Sequence, residues 1–243
     1  KPAACLKILH WTTNMKMTLF DQQYQLVESQ KFAHKHHLIT DIIFELNFEE
    51  IDEIFHNNFG LGFINLKTRK PYGDESLYFS IATGRKVGVE PEKYQGLYKN
   101  NDGTIKVVGF EDMHKDLAKR NNNIKVNILG EELKKKGIAY IGDKSAAIIA
   151  ADKSGNIKSG EIEINYDENW LKERTNYHLL RTNILVVSYD IGETKTRIQL
   201  LRKYIHEFKD YNIMILPKQV SKEMKFILNR NLAPFIYVNG ESR

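Results

Sequence analysis

The residues best suited to metal chemistry are His34-Lys35-His36-His37 with Asp41. On a helix His34, His37 and Asp41 would share one face at i, i+3 and i+7, a donor set acceptable to a divalent cation. A metal site also needs further ligands and outer hydrogen bonds, which the flanking residues do not offer. A solvated histidine run is the better reading. Two Glu-x-x-His pairs, Glu53/His56 and Glu111/His114, have the spacing used in di-iron bundles, but those bundles add two more glutamates on long helices. Metal-dependent nucleases gather acids and a lysine at strand ends to activate water. Asp143 with Glu161 and Glu163 is the best such set, and Asp74 with Arg85 and Lys86 a poorer one. Glu161 and Glu163, two apart on a strand, fit plain solvent-facing positions equally well.

The nucleotide cradles Gly-x-x-x-x-Gly-Lys-Ser/Thr and Gly-x-Gly-x-x-Gly after a strand are missing, and so is a Gly-x-Ser-x-Gly elbow. The turn Asp190-Ile191-Gly192-Glu193-Thr194 follows an apolar strand, where parallel sheets bind ligands, but a turn is required there in any case. No cofactor is expected. Positive charge gives a broader signal. Lys195, Arg197, Arg202, Lys203 and Lys209, followed by Lys218, Lys222, Lys225 and Arg230, surround two consecutive helices. Phosphate contacts need little beyond cations at such spacing, and exposed aromatics could add base stacking.

The elements carrying these residues are clearest near the C-terminus. Ile184–Tyr189 is a near-continuous apolar run, as expected of a strand covered on both faces. Thr194 caps a helix with Ile198, Leu201, Ile205 and Phe208 inward. A strand follows over Asn212–Leu216, a second helix begins at Ser221, and Phe235–Val238 is a third strand. Residues 182–243 are thus expected to form a βαβαβ unit with parallel strands.

Residues 1–181 read as a mixed α+β body. Helices are expected from Asn47 to Gly60, over Glu111–Arg120, in the turn Glu131–Lys136 and over Glu168–Arg181. Strands are expected at Leu6–Leu9, Gly62–Leu66, Leu77–Ile81, Ile105–Phe110 and Ile124–Leu129, with Ala146–Ala151 forming a hairpin against Gly160–Ile164. Asn100-Asn101-Asp102-Gly103 suits a hairpin turn. The fold class is α/β.

Composition agrees with a folded chain of 243 residues, 42% hydrophobic and 28% charged, with twelve Tyr and twelve Phe. No apolar run is long enough to span a bilayer. The single cysteine, Cys5, excludes an internal disulfide and points to a reducing intracellular compartment, cytoplasm or organelle matrix. Net charge is +5 and is unevenly spread. Residues 1–120 carry 16 basic and 16 acidic side chains, residues 121–243 carry 20 and 15, and the stretch 172–230 holds 12 and 6. A basic half on a neutral half suits a polyanion partner, although a solvated basic surface would look the same.

The phrase Asn229-Arg230-Asn231-Leu232-Ala233-Pro234-Phe235-Ile236-Tyr237-Val238-Asn239-Gly240, with the element order before it, resembles the C-terminal anticodon-binding domain of class II aminoacyl-tRNA synthetases. The resemblance covers residues 184–243 and no upstream catalytic core accompanies it. It implies an RNA-facing or protein-facing module without aminoacylation. The leading expectation is a non-catalytic nucleic-acid-binding protein, RNA before DNA, within a ribonucleoprotein assembly. A Mg-dependent nuclease using Asp143, Glu161 and Glu163 is the enzymatic alternative, and a structural subunit of a protein complex is the third.

Overall fold

The computed structural model describes residues 37–41, 45–46, 59–65, 74–120, 126–133, 137–165, 167–188, 194–216, 219–220 and 232–238. Its strands are β1 (His37–Asp41), β2 (Glu45–Leu46), β3 (Phe59–Asn65), β4 (Leu97–Lys99), β5 (Ile105–Val107), β6 (Ile138–Ile141), β7 (Asn156–Ile157), β8 (Ser159–Glu161), β9 (Ile184–Ser188), β10 (Asn212–Ile215), β11 (Gln219–Val220) and β12 (Leu232–Val238). Its α-helices are α1 (Asp74–Thr83), α2 (Phe110–Arg120), α3 (Leu129–Glu132), α4 (Glu168–Leu179) and α5 (Thr194–Glu207), with 3-10 turns at Pro91–Lys93 and Ser145–Ile149. Among the described residues no helix is long and apolar enough to cross a membrane.

The main sheet has seven strands in the order β3-β12-β10-β1-β9-β6-β8. Five of them, β10, β1, β9, β6 and β8, run parallel, and β12 and β3 complete one side in antiparallel pairing. Every residue of β6 and β9 is buried. This is the burial expected of continuous apolar strands covered on both faces. A smaller antiparallel sheet, β4-β5-β7, packs into the same core through Ile105, Val107 and Ile157.

The α/β class expected from the sequence is what the chain forms, but the C-terminal unit is not a sheet by itself. β9 and β10 do not pair with one another, because β1 lies between them and bonds both. The third strand, expected to be parallel, runs antiparallel to β10 and pairs across seven residues with β3. The helix Thr194–Glu207 is as expected, whereas the helix begun at Ser221 lies outside the described residues. So do Leu6–Leu9 and most of the expected helix 47–60, whose last two positions, Phe59 and Gly60, belong to β3.

Three further expectations are corrected. Leu77–Ile81 is not a strand but the middle of α1, where every residue from Ser76 to Thr83 is buried. A helix buried on all sides has no polar face to set a 3.6-residue period, so it reads as a short apolar strand. Its hydroxyls turn inward: Ser80 Oγ donates to Ser76 O at 2.6 Å and Thr83 Oγ1 to Phe79 O at 2.8 Å. Ser80 and Ser76 also accept from the backbone N–H groups of Val87 and Val89, at 3.1 and 3.0 Å, tying the next segment to the helix. Ala146–Ala151 likewise forms no hairpin. Most of it is a buried 3-10 turn, and β8 pairs in parallel with β6 instead. Finally, Val126–Ile128 joins no strand and leads into α3.

Candidate functional site

The best-formed polar cluster lies where α4 packs beside the edge strand β8. Asp167 caps α4, its carboxylate accepting from Asn169 N at 3.3 Å. Leu171, Thr175, His178 and Leu179 make its buried stripe, the i, i+4, i+7, i+8 pattern of a core-facing helix. Ser159 and Glu161, two apart on β8, share one face of the strand. Gly160 between them faces the opposite way, and a Cβ there would lie 2.2 Å from Tyr140 O. The missing side chain lets the β8 backbone close on β6.

His178 is 2% exposed. Its Nδ1 lies 3.0 Å from Ser159 Oγ, and its Nε2 lies 3.6 Å from Glu161 Oε1. Glu161 also meets Arg174 Nη1 at 3.7 Å and Lys99 Nζ at 3.6 Å. His178 Nε2 and Arg174 Nε are both buried without a hydrogen-bond partner. The ring stands edge-on to Tyr177 at 5.1 Å. Beside this cluster Arg181 stacks over the Tyr177 ring at 3.7 Å, with Arg174 at 5.7 Å from the same ring. Arg181 Nη1 donates to Tyr177 O at 2.8 Å, which holds the stack in register.

Burial pushes the His178 imidazole below its ordinary value of 6.5, outweighing the upward pull of Glu161, and Arg174 and Arg181 push it further down. The folded state therefore favours neutral His178, while the unfolded chain binds a proton near the ordinary value. Stability contributed by His178 is present above pH 6.5 and is lost as pH falls from there through the lower folded value. Denaturant midpoints between pH 7.5 and 5 should fall less for His178→Gln than for the parent. Equal slopes would show that His178 does not carry this dependence.

The nuclease trio is not assembled. Asp143 follows Gly142, whose N–H donates to Glu161 O at 2.9 Å, so the ends of β6 and β8 do meet. The carboxylates are otherwise engaged: Glu161 with Lys99, Arg174 and His178, and Asp143 with Lys144 at 3.8 Å, while Glu163 is exposed. Among the described residues no three His, Cys, Asp or Glu side chains cluster closely enough to hold a metal ion. His37 and Asp41 belong to strand β1, which removes the helical spacing on which the histidine-run site depended. Glu111 of the second Glu-x-x-His pair binds Lys106 Nζ at 3.0 Å. Asp143 has a different neighbour of note. Burial, with the charges of Asp143 and Glu75, pushes the Tyr94 hydroxyl up to about 12.

Of the expected basic residues, Arg202, Lys203 and Lys209 are exposed on α5 and the turn after it. Lys195 and Arg197 fall in the first turn of α5, but their side chains, and all of Lys218, Lys222, Lys225 and Arg230, lie outside the described residues. α4 and α5 exchange one ion pair in each direction, so Lys203 is matched while α5 keeps the net charge its sequence suggests. Lys203 pairs with Glu168 at 2.9 Å, and Glu207 takes Lys172 at 2.6 Å. Between these helices runs an open groove of about 550 Å³ lined by Leu171, Leu200, Tyr204 and Phe208, with Arg202 and Lys203 at its side.

No family matches the sequence, and no curated protein is similar to it. Among solved structures, the PH0037 protein from Pyrococcus horikoshii is similar over 86% of this chain and 87% of that one, at 12% identity and a TM-score of 0.43. That likeness is too distant to carry a role across.

Sequence reasoning placed Glu161 on a strand but missed His178, Ser159 and Arg174. A signal for His178 was present. It sits seven residues after Leu171, on the apolar stripe of its helix, and a histidine buried there must find polar partners.

Proposed function

We propose that the protein binds nucleic acid, RNA in preference to DNA, through the cationic and aromatic face that α4 presents beside β8. The observation that carries this reading is the Arg181 guanidinium stacked at 3.7 Å on Tyr177, a ring 44% exposed. A stacked guanidinium offers an unpaired base a flat cationic platform, the device used in single-strand binding. Lys99 and Arg174 share the single carboxylate of Glu161 and so leave one net positive charge beside this face, and Arg202 and Lys209 are exposed cations on and after α5. The net charge of +5 supports a polyanion partner in general. The resemblance of residues 184–243 to an anticodon-binding module points to RNA, and a place in a ribonucleoprotein inside the cell follows from the same reading.

Anisotropy with labelled single-stranded RNA should show affinity falling steeply from 50 to 200 mM salt, by roughly tenfold or more if three phosphates are neutralised. Arg174→Glu with Arg181→Glu should weaken binding by about tenfold or more and flatten the salt slope. Lys203→Glu, whose cation is already matched by Glu168, should change it much less. Salt-insensitive binding, or equal effects of the two substitutions, would remove the assignment of this face.

A further inference from the structure

We propose that Ser159 is a nucleophile activated by His178, forming a site for hydrolysis of small carboxylic esters where α4 meets strand β8 of the main sheet. Three features found together support this. A serine hydroxyl lies 3.0 Å from an imidazole nitrogen, the opposite ring nitrogen faces a carboxylate at 3.6 Å, and the imidazole is buried while the serine is only half-buried. This is the arrangement of a nucleophile, its base and the group that orients the base. With the His178 proton on Nε2, facing Glu161, Nδ1 is left as the acceptor for the Ser159 hydroxyl. Glu161 is itself held from two sides by Lys99 and Arg174, at 3.6 and 3.7 Å, and its charge beside Nε2 favours the tautomer that carries the proton on that nitrogen. Glu161 is thus a positioning residue. The same two cations favour an ester carrying negative charge near the scissile bond.

In the first half-reaction Ser159 Oγ bonds to the ester carbonyl carbon and its proton passes to His178 Nδ1. The carbon–alkoxide bond then breaks, and the alkoxide leaves as an alcohol with that proton. In the second, water attacks the acyl-serine, gives its proton to Nδ1, and the carboxylic acid departs as Ser159 recovers its hydrogen. β8 is the outermost strand of the main sheet among the described residues, and Ser159 on it is only half-buried. The site shares Lys99 and Arg174 with the proposed nucleic-acid face, so labelling is measured without nucleic acid present, and its outcome does not depend on whether RNA binds.

The full chain is incubated with a fluorophosphonate probe, and the adduct is read by intact mass and mapped by peptide sequencing. The expected result is one adduct, on Ser159, absent from Ser159→Ala and from the protein unfolded in urea. His178→Asn should slow labelling by about a hundredfold, the scale of a lost general base. Glu161→Gln should slow it less and shift the pH midpoint of labelling. In the parent the rate should rise as His178 loses its proton and then level off, a readout that survives even if a substituted chain fails to fold. No adduct at Ser159, labelling of other serines only, a flat pH profile, or an unchanged rate in folded His178→Asn would each overturn the proposal.

Discussion

Replacing Gly109 with alanine is expected to destabilise the protein by about 4 kcal/mol, at the upper end of single-residue effects. Gly109 joins β5 to α2 with φ +86, a conformation that costs an L residue roughly 1–2 kcal/mol by itself. The larger cost is steric. A Cβ there would lie 1.7 Å from the carbonyl oxygen of Lys93, and backbone cannot swing aside as a side chain can. Both partners of the clash are fixed by neighbours. Gln95 N donates to Val108 O at 3.1 Å, Val108 N to Gly96 O at 3.0 Å, and Met113 N to Gly109 O at 3.2 Å as the first bond of α2. Relief of the overlap must break one of these. Gly103 is the control: its φ is +83, but nothing lies within 4 Å of a Cβ placed there. Gly103→Ala should cost only about 1 kcal/mol. Urea midpoints of the two variants measure the difference directly, and similar midpoints would refute the steric argument.

The second large effect is expected at Phe79. Its side chain is fully buried in α1, and its ring meets that of Phe110 at 5.3 Å between centroids, tilted by 57°. Truncation to alanine removes a whole ring from a core that includes Tyr78, Ile105 and Tyr140 and leaves a cavity that the surrounding sheets cannot close. The cost should be about 3–5 kcal/mol. Phe79→Leu, which keeps most of the volume, should lose far less. The neighbouring serines test the helix against a strand reading of residues 77–81. On a helix Ser80 and Ser76 hold Val87 and Val89 through side-chain oxygens, so Ser80→Ala should free the Val87 amide for solvent exchange. Unchanged protection at Val87 would argue against that attachment.

The sequence by itself determined the elements whose polarity alternates. α2, α4 and α5 were legible because one side of each meets water, which imposes a period on the residue types. β9 and β10 were legible from apolar runs bounded by turn residues, and so was the turn Asn100–Gly103 before β5, although β4 on its other side, three residues long, was not expected as a strand. α1 and the Ser145–Ile149 turn were misread because both are buried all round, and burial erases the pattern that separates helix from strand. The composition also carried the charge asymmetry, but not its partners. Lys203 looks like a free phosphate contact until Glu168, thirty-five residues earlier, is seen beside it.

Only the tertiary structure decided which strands are neighbours. β1 sits between β9 and β10 although it ends at Asp41 and β9 begins only at Ile184, because parallel pairing depends on crossover connections and carries no local mark in the chain. The candidate site arises at the same level. Ser159, Glu161, Arg174 and His178 come from a strand and a helix, and Lys99 reaches them from a second sheet. Each is an ordinary polar residue in its own segment. The packing of α4 on β8 takes one histidine out of water and sets a serine and a carboxylate on either side of it, a relation that exists only in three dimensions.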